Sequence, residues 1–151
     1  FESDGAQSMD FLKEPEIGKK DHSRYTGEGE ETDVSGFAVK GQNGETQIVV
    51  YSHCNDIDKK EEKEIVLSVS GLTAQKINVE HYRIDAEHSN AYAEWVRQGQ
   101  PLFPEGEQYD AIKKRDGLEK FSEDAALDTA GGNVEIKFTM PTHGVSYLVI
   151  K

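Results

Sequence analysis

A chain of 151 residues is the size of one domain and can bury a single modest core. Its 29 Asp and Glu residues against 17 Lys and Arg give a formal net charge of −12 at pH 7, which argues against nucleic-acid and anionic-membrane partners. The sequence has no run of about 18 apolar residues, so no membrane-spanning segment is predicted.

The first 34 residues are predicted to be a tether outside the folded domain. Residues 1–17 mix acidic residues, glycine and proline with a few hydrophobic side chains, and residues 18–34 are almost without apolar residues. Such composition is typical of loops and linkers. We predict that residues 1–34 are partly disordered or contribute one docking strand, and that residues 35–151 form one domain.

Two strands are predicted to open the domain. Residues 36–40 form a short apolar run, and the Asn43-Gly44 pair that follows is typical of a tight hairpin turn. Residues 46–53 answer with a β-branched run too continuous for a half-exposed strand. We therefore predict that residues 46–53 lie in the middle of a sheet.

Cys54, which follows this strand, is the only cysteine of the sequence. An internal disulfide is excluded, and nothing in the cysteine content indicates an oxidising compartment. We expect a half-buried packing residue, with a reactive thiol as the alternative. The sequence thus favours the cytoplasm slightly, although a targeting segment upstream of Phe1 would not be visible.

Four further strands are predicted from alternating apolar residues at 64–70, 76–85, 134–140 and 145–150. In residues 76–85 the alternation places His81 and Arg83 on the face that carries Ile77 and Val79. Buried polar groups need partners. The nearest candidates are Asp85, Glu87 and Asn90.

Two short helices are predicted between the fourth and fifth of the six predicted strands, residues 76–85 and 134–140. The first begins after Ser89 or Asn90, either of which can cap it, and ends at Gly99. The second runs from Pro104 to Gly117. We expect both to need tertiary packing, supplied mainly by aromatic rings, because neither is long enough to be stable alone. In the second helix, Tyr109 and Ile112 are expected to be buried.

Hairpin-length connections and few helices predict a mainly β domain, an antiparallel β-sandwich with the two helices inserted near one edge at about residues 89–117.

Four kinds of chemistry can be considered for residues 81–109. The seven-residue spacing of His81 and His88 matches no zinc motif, so no metal site is predicted. Asp85, His88 and Ser89 are too close in sequence to converge as a catalytic triad, and the strained nucleophile turn is missing. Two glycosidase carboxylates would need a cleft framed by a larger scaffold.

The fourth possibility is an aromatic platform that stacks on sugar rings. Its candidates are Tyr92, Trp95, Phe103 and Tyr109. Their spacing beside Val96 and Ile112 favours a packing role over a sugar-binding one.

Several segments carry a family resemblance: residues 81–85 (His-Tyr-Arg-Ile-Asp), residues 88–92 (His-Ser-Asn-Ala-Tyr), Trp95, Gly99, Pro101, Pro104, Gln108 and Tyr109. With residues 134–151, they resemble the C-terminal region of glycoside hydrolase family 39, which contains β-xylosidases and α-L-iduronidases. The resemblance covers about residues 36–151 and looks closer to the xylosidase branch.

The resemblance implies that a (β/α)8 barrel carries both catalytic glutamates, while the region seen here is an accessory sandwich. No barrel motif can be placed on this sequence, so no catalytic residue is assigned and no cofactor is expected. We expect a non-catalytic accessory domain that packs against and supports the barrel of a parent enzyme hydrolysing xylosidic bonds. The alternative is a stand-alone carbohydrate-binding module with exposed aromatics.

The residues expected to form the structural motif or to face the barrel are His81, Tyr82, Arg83, Asp85, His88, Ser89, Asn90, Tyr92, Trp95, Phe103 and Tyr109. The expected partner is the catalytic barrel of the parent chain. The resemblance further implies that the sandwich can take a strand from before the barrel. An isolated chain would then have an unpaired sheet edge and a tendency to self-associate.

Overall fold

The computed structural model describes residues 31–151 of the chain. The tether predicted for residues 1–34 therefore lies almost entirely outside the described residues. The strands are β1 (Asp33–Lys40), β2 (Thr46–His53), β3 (Glu62–Val69), β4 (Lys76–Ile84), β5 (Glu119–Lys120), β6 (Ala125–Asp128), β7 (Val134–Pro141) and β8 (Val145–Ile150). The helices are α1 (Ala91–Arg97) and α2 (Glu107–Lys114).

The strands form two antiparallel sheets. The larger sheet has the order β1-β2-β8-β4-β5, and β6 also pairs with β4. The smaller sheet consists of β3 and β7. The predicted mainly β, sandwich-like fold with two short helices is confirmed, and so is the central position of residues 46–53, since β2 lies between β1 and β8.

The core lies between the two sheets. Strands β2, β4 and β8 each turn alternate apolar side chains towards β7, as their period-two sequences predict. The buried cluster contains Ile48, Val50, Ile77, Val79, Phe138, Met140, Leu148 and Ile150. One face of each sheet is therefore internal and the other is external.

The start of β1 is anchored by a buried threonine. Thr32 Oγ1 donates to the Glu61 carboxylate at 2.9 Å and lies 3.0 Å from Thr142 Oγ1. The Lys63 ammonium donates to the Thr32 carbonyl at 2.7 Å. These bonds between distant segments explain why β1 begins at Asp33, three residues before the predicted strand.

The two helices connect β4 to the edge strand β5. Helix α1 begins as predicted, because Asn90 Oδ1 accepts the Ala93 N–H at 2.9 Å. The predicted start of α2 at Pro104 is wrong, since Gly106, with φ of 55°, precedes its first residue, Glu107. The predicted burial of Tyr109 is also wrong, because its side chain is 50% exposed. Among residues 31–151, no helix is long and apolar enough to span a membrane.

Candidate functional site

A buried arginine closes the end of β4. The alternation of β4 turns Arg83 inward beside the core, where it is only 1% exposed. Its Nη2 donates to the Thr139 carbonyl at 2.7 Å, and its Nη1 lies 3.6 Å from Asp85 Oδ2. The guanidinium carbon lies 4.0 Å from the centre of the Phe121 ring, a cation–π contact. Of the three candidate partners, Asp85, Glu87 and Asn90, it is Asp85 that pairs with the buried arginine.

Asp85 organises the turn that follows the strand. Its Oδ1 accepts hydrogen bonds from the backbone N–H groups of Glu87 and His88, both at 2.8 Å, and from His88 Nδ1 at 2.9 Å. Burial acts to raise the pKa of Asp85, but these hydrogen bonds outweigh it and lower the pKa. The carboxylate is therefore ionised, with both oxygens engaged.

Ser89 and Asn90 fix the path from this turn into α1. Ser89 Oγ donates to the Arg83 carbonyl at 2.7 Å and accepts the Glu119 N–H at 2.8 Å. Asn90 Nδ2 donates to the Asp85 carbonyl at 3.1 Å while its Oδ1 caps the helix. The Ser89 hydroxyl is hydrogen-bonded to backbone groups, and His88 Nδ1 is hydrogen-bonded to Asp85. These residues therefore bind structural partners and do not form a catalytic triad.

His81 lies deeper, between two aromatic rings. Its ring centroid is 4.8 Å from that of Phe121 and 4.7 Å from that of Phe138. Burial, followed by the charge of Arg83, lowers the pKa of His81 to about 4, so the ring is neutral at pH 7. Its Nε2 has no hydrogen-bond partner within residues 31–151, contrary to the expectation of a polar partner.

Tyr82 lies on the opposite face of β4. Its hydroxyl donates to Glu80 at 3.2 Å, and its ring centroid is 6.0 Å from that of Tyr147 on β8. The motif around residues 81–85 therefore contributes to both faces of the larger sheet.

The aromatic residues of the helical insertion are largely exposed. Tyr92 is 67% exposed and Phe103 is 86% exposed. Trp95 is half-buried, with its Nε1 donating to the Pro101 carbonyl at 2.9 Å and its ring 5.6 Å from that of Tyr92. A packing role within this chain is thus wrong for Tyr92, Phe103 and Tyr109. The spacing predicted a shared face, but polar contacts hold the helices.

Those polar contacts centre on Glu94, the buried residue of α1. Its carboxylate accepts hydrogen bonds from Arg97 and, at 2.9 Å, from Gln98 Nε2. Gln98 Nε2 also reaches the Gln108 carbonyl in α2 at 3.2 Å. A buried, hydrogen-bonded carboxylate therefore takes the place expected for an aromatic residue.

Two residues that complete the cluster were not among the site residues selected from the sequence. Glu119 accepts the Ser89 N–H at 2.7 Å and pairs with Arg115 at 3.0 Å. Phe121 covers Arg83 and His81. Phe121 was detectable as an isolated aromatic in a polar stretch, whereas nothing local distinguishes Glu119 from other glutamates.

Residues 31–151 contain no group of three or more His, Cys, Asp or Glu side chains that could hold a metal ion. The carboxylates nearest the motif bind cationic side chains or backbone N–H groups of the same chain. The arrangement is chemically suited to rigidity, and its exposed aromatics are suited to contact with another surface.

Comparison with known proteins gives one family. The model of glycosyl hydrolases family 39 matches residues 32–127. A search of curated proteins found no match.

Solved structures share the fold. A bacterial orthologue of human α-L-iduronidase is 15% identical with a TM-score of 0.66, over 78% of this chain and 22% of its own. A family 39 enzyme from Xanthomonas axonopodis pv. citri is 12% identical with a TM-score of 0.65, over 77% and 25%. A monomeric β-xylosidase from Caulobacter crescentus CB15 is 16% identical with a TM-score of 0.61, over 77% and 26%. The matched region is about a quarter of each of these chains.

Proposed function

This chain belongs to glycosyl hydrolases family 39, and we propose that it is the accessory β-sandwich of a longer, β-xylosidase-like glycosidase whose catalytic barrel lies elsewhere in the polypeptide. The observation that carries the proposal is one of length. The chain aligns with only 22 to 26% of each of three solved structures that share its fold. Most of a polypeptide of that kind, including room for a barrel, would therefore lie outside it.

The chemistry of the carboxylates supports a non-catalytic role. A glycosidase needs two carboxyl groups about 5 to 10 Å apart that face a bound sugar in a cleft. Asp85 is bound by Arg83 and His88, and Glu94 is bound by Arg97. Partners of this kind hold carboxylates in place, which suits support of a fold better than proton transfer.

The helical insertion offers a surface for the barrel. Its exposed apolar side chains form what we call the helical patch, consisting of Tyr92, Val96, Leu102, Phe103 and Tyr109. Exposed apolar groups of this size are typical of surfaces that contact a partner. The hydrogen-bonded turn at Asp85 would fix the direction in which the patch points.

The test compares this chain with the complete polypeptide from which it derives, using an aryl xyloside as substrate. We expect hydrolysis by the complete polypeptide and none by the isolated chain. The coding region upstream should contain about 250 or more residues with barrel periodicity and two glutamates at strand ends. Stable hydrolysis by the purified isolated chain, or a start codon directly before Phe1, would contradict the proposal.

A carbohydrate-binding module is the second candidate, and the exposure of Tyr92 and Phe103 favours it. Aromatic rings that face solvent can stack on pyranose rings, and Trp95 lies 5.6 Å from Tyr92. Xylo-oligosaccharides should then quench the fluorescence of Trp95. An accessory domain without sugar binding predicts unchanged fluorescence.

Self-association through a sheet edge is proposed as a further property of the isolated chain. Within residues 31–151, β1 pairs only with β2, and its residues from Val34 to Val39 carry no charge. Uncharged edge strands favour pairing with another strand. Sedimentation equilibrium should show a mass that rises with concentration, and a clean monomer at high concentration would refute the idea.

A further inference from the structure

Three polar atoms inside the sandwich have no hydrogen-bond partner in the part of the chain that the structure describes. They are Arg83 Nε, His81 Nε2 and Ser146 Oγ. Their residues are 1%, 5% and 0% exposed, so bulk water does not reach them. Two other atoms without a hydrogen bond, in Gln98 and Arg115, belong to half-buried residues of the helical insertion. The three core atoms therefore need a separate explanation.

The fold brings the three side chains together. Ser146 on β8 is the register partner of Arg83 on β4, and both side chains point into the sandwich. Opposite residues of an antiparallel pair have Cβ atoms about 4.5 to 5.5 Å apart. His81 lies two residues before Arg83 on the same face of β4. Its ring centroid is 4.8 Å from that of Phe121, and the guanidinium carbon of Arg83 is 4.0 Å from the same ring centre. The three polar groups are therefore neighbours in an otherwise apolar region.

The hydrogen-bonding capacity of these groups defines what can bind them. Arg83 uses Nη2 for the Thr139 carbonyl and Nη1 for Asp85, so Nε is the nitrogen left over, and it can only donate. A serine hydroxyl can donate and accept, and a neutral imidazole has one nitrogen of each kind. Buried polar groups in folded proteins almost always have a partner, either protein or ordered water. A molecule that both donates and accepts would satisfy all three atoms.

We infer that one internal water molecule bridges β4 and β8, accepting hydrogen bonds from Arg83 Nε and the Ser146 hydroxyl and donating one to His81 Nε2. Internal waters typically make about three hydrogen bonds to buried groups that lack other partners. An anion fits the site less well, because Asp85 already compensates the charge of Arg83 and the lowered pKa of His81 keeps its ring neutral at pH 7. The inference concerns the core of this domain and is independent of the proposed barrel.

A crystal structure of the 151-residue chain, at a resolution that shows ordered water, tests the site directly. We expect a solvent peak about 2.7 to 3.2 Å from Arg83 Nε, Ser146 Oγ and His81 Nε2. A direct hydrogen bond between Arg83 Nε and Ser146 Oγ without such a peak would overturn the inference. A peak that contacts only one of the three atoms would do the same. Anomalous scattering from bromide soaked into the crystal at this position would assign the site to an anion and would also overturn the inference.

Nuclear Overhauser effects between water and the protein provide an independent measurement in solution. The carbon-bound ring protons of His81 should show cross-peaks with the sign of slowly exchanging water, while the exposed Tyr92 ring gives the reference for surface water.

Two serine variants complete the test. Ser146→Ala should weaken the His81 cross-peaks several-fold, because the water loses one of its three partners. Ser52→Ala is the matched control, since it removes a buried hydroxyl that donates to the Pro141 carbonyl and leaves the bridged atoms unchanged. Cross-peaks of the surface type at His81, or equal weakening in both variants, would contradict the inference. If Ser146→Ala does not fold, the crystal structure and the cross-peaks of the unchanged chain decide the question.

Discussion

Replacing Asp85 by alanine should destabilise the domain far more than loss of any exposed ion pair. Arg83 has a side chain that is 1% exposed, and Asp85 has one that is 8% exposed. Removing one member of a buried pair costs about 3 to 5 kcal/mol, because the remaining charge is left in a medium that does not solvate it.

The structure places the cost near the lower end of that range. Arg83 keeps its hydrogen bond to the Thr139 carbonyl and its contact with the Phe121 ring. The backbone N–H of Glu87 donates a hydrogen bond to Asp85 at the surface, where water can replace the carboxylate as acceptor. We therefore expect Asp85→Ala to lower the free energy of unfolding by about 3 kcal/mol.

Urea unfolding followed by circular dichroism measures this loss, with an unchanged dependence on urea as the sign that the folded state is retained. Asp124→Ala is the matched control, because Asp124 binds Lys120 at 2.7 Å on the surface and should cost about 1 kcal/mol or less. The double variant Arg83→Met with Asp85→Ala should lose less stability than Asp85→Ala alone, since no unpaired charge remains. A loss below about 1 kcal/mol for Asp85→Ala would refute the argument that the pair is buried and coupled.

Three more predictions follow from the same region. The pKa of His81 is lower in the folded chain, at about 4, than its ordinary value of 6.5, so its contribution to stability is complete above pH 6.5 and is lost as the pH falls towards 4. The loss should reach about 3 kcal/mol in urea titrations at successive pH values, and a flat profile would contradict a buried neutral ring. Trp95→Ala should cost about 1 to 2 kcal/mol, since the ring is half-buried and gives up one hydrogen bond to Pro101; a loss of 3 kcal/mol or more would indicate a core residue. Ser89→Ala should cost about 1 to 2 kcal/mol, because the Glu119 N–H loses its acceptor, and an unchanged urea midpoint would show that water replaces the hydroxyl.

Periodicity predicted the parts of the fold where burial alternates along a strand. Strands β2, β4, β7 and β8 have strong alternation, and each lies where the sequence placed a strand. The short strands β5 and β6 were missed, since their few residues pair with β4 through the backbone and carry no apolar period. Pairing of this kind depends on where the remote partner strand ends, which local composition does not report.

The candidate site was likewise predictable only where its contacts are local in the sequence. Asp85 was identifiable as a partner of Arg83 because it lies two residues away. Asn90 was identifiable as a cap because it directly precedes the first residue of α1. Glu119 was not, since its contact with Ser89 joins residues 30 positions apart. The aromatic spacing of the helical insertion predicted packing within the chain, but Tyr92, Phe103 and Tyr109 are exposed, because spacing alone does not report which helix faces the rest of the domain covers.

A short series of polar contacts connects the buried cluster to the helical patch. Asp85 binds Arg83 inside the sandwich, while its own carbonyl accepts a hydrogen bond from Asn90, the residue that caps α1. The helical patch is therefore held to the core through a few bonds at the end of β4. A domain that only had to be soluble would gain little from a buried charge, because an apolar replacement of similar volume is often as stable. We propose that the ion pair serves to fix the direction of the helical patch relative to the sandwich, a role that folding alone does not require.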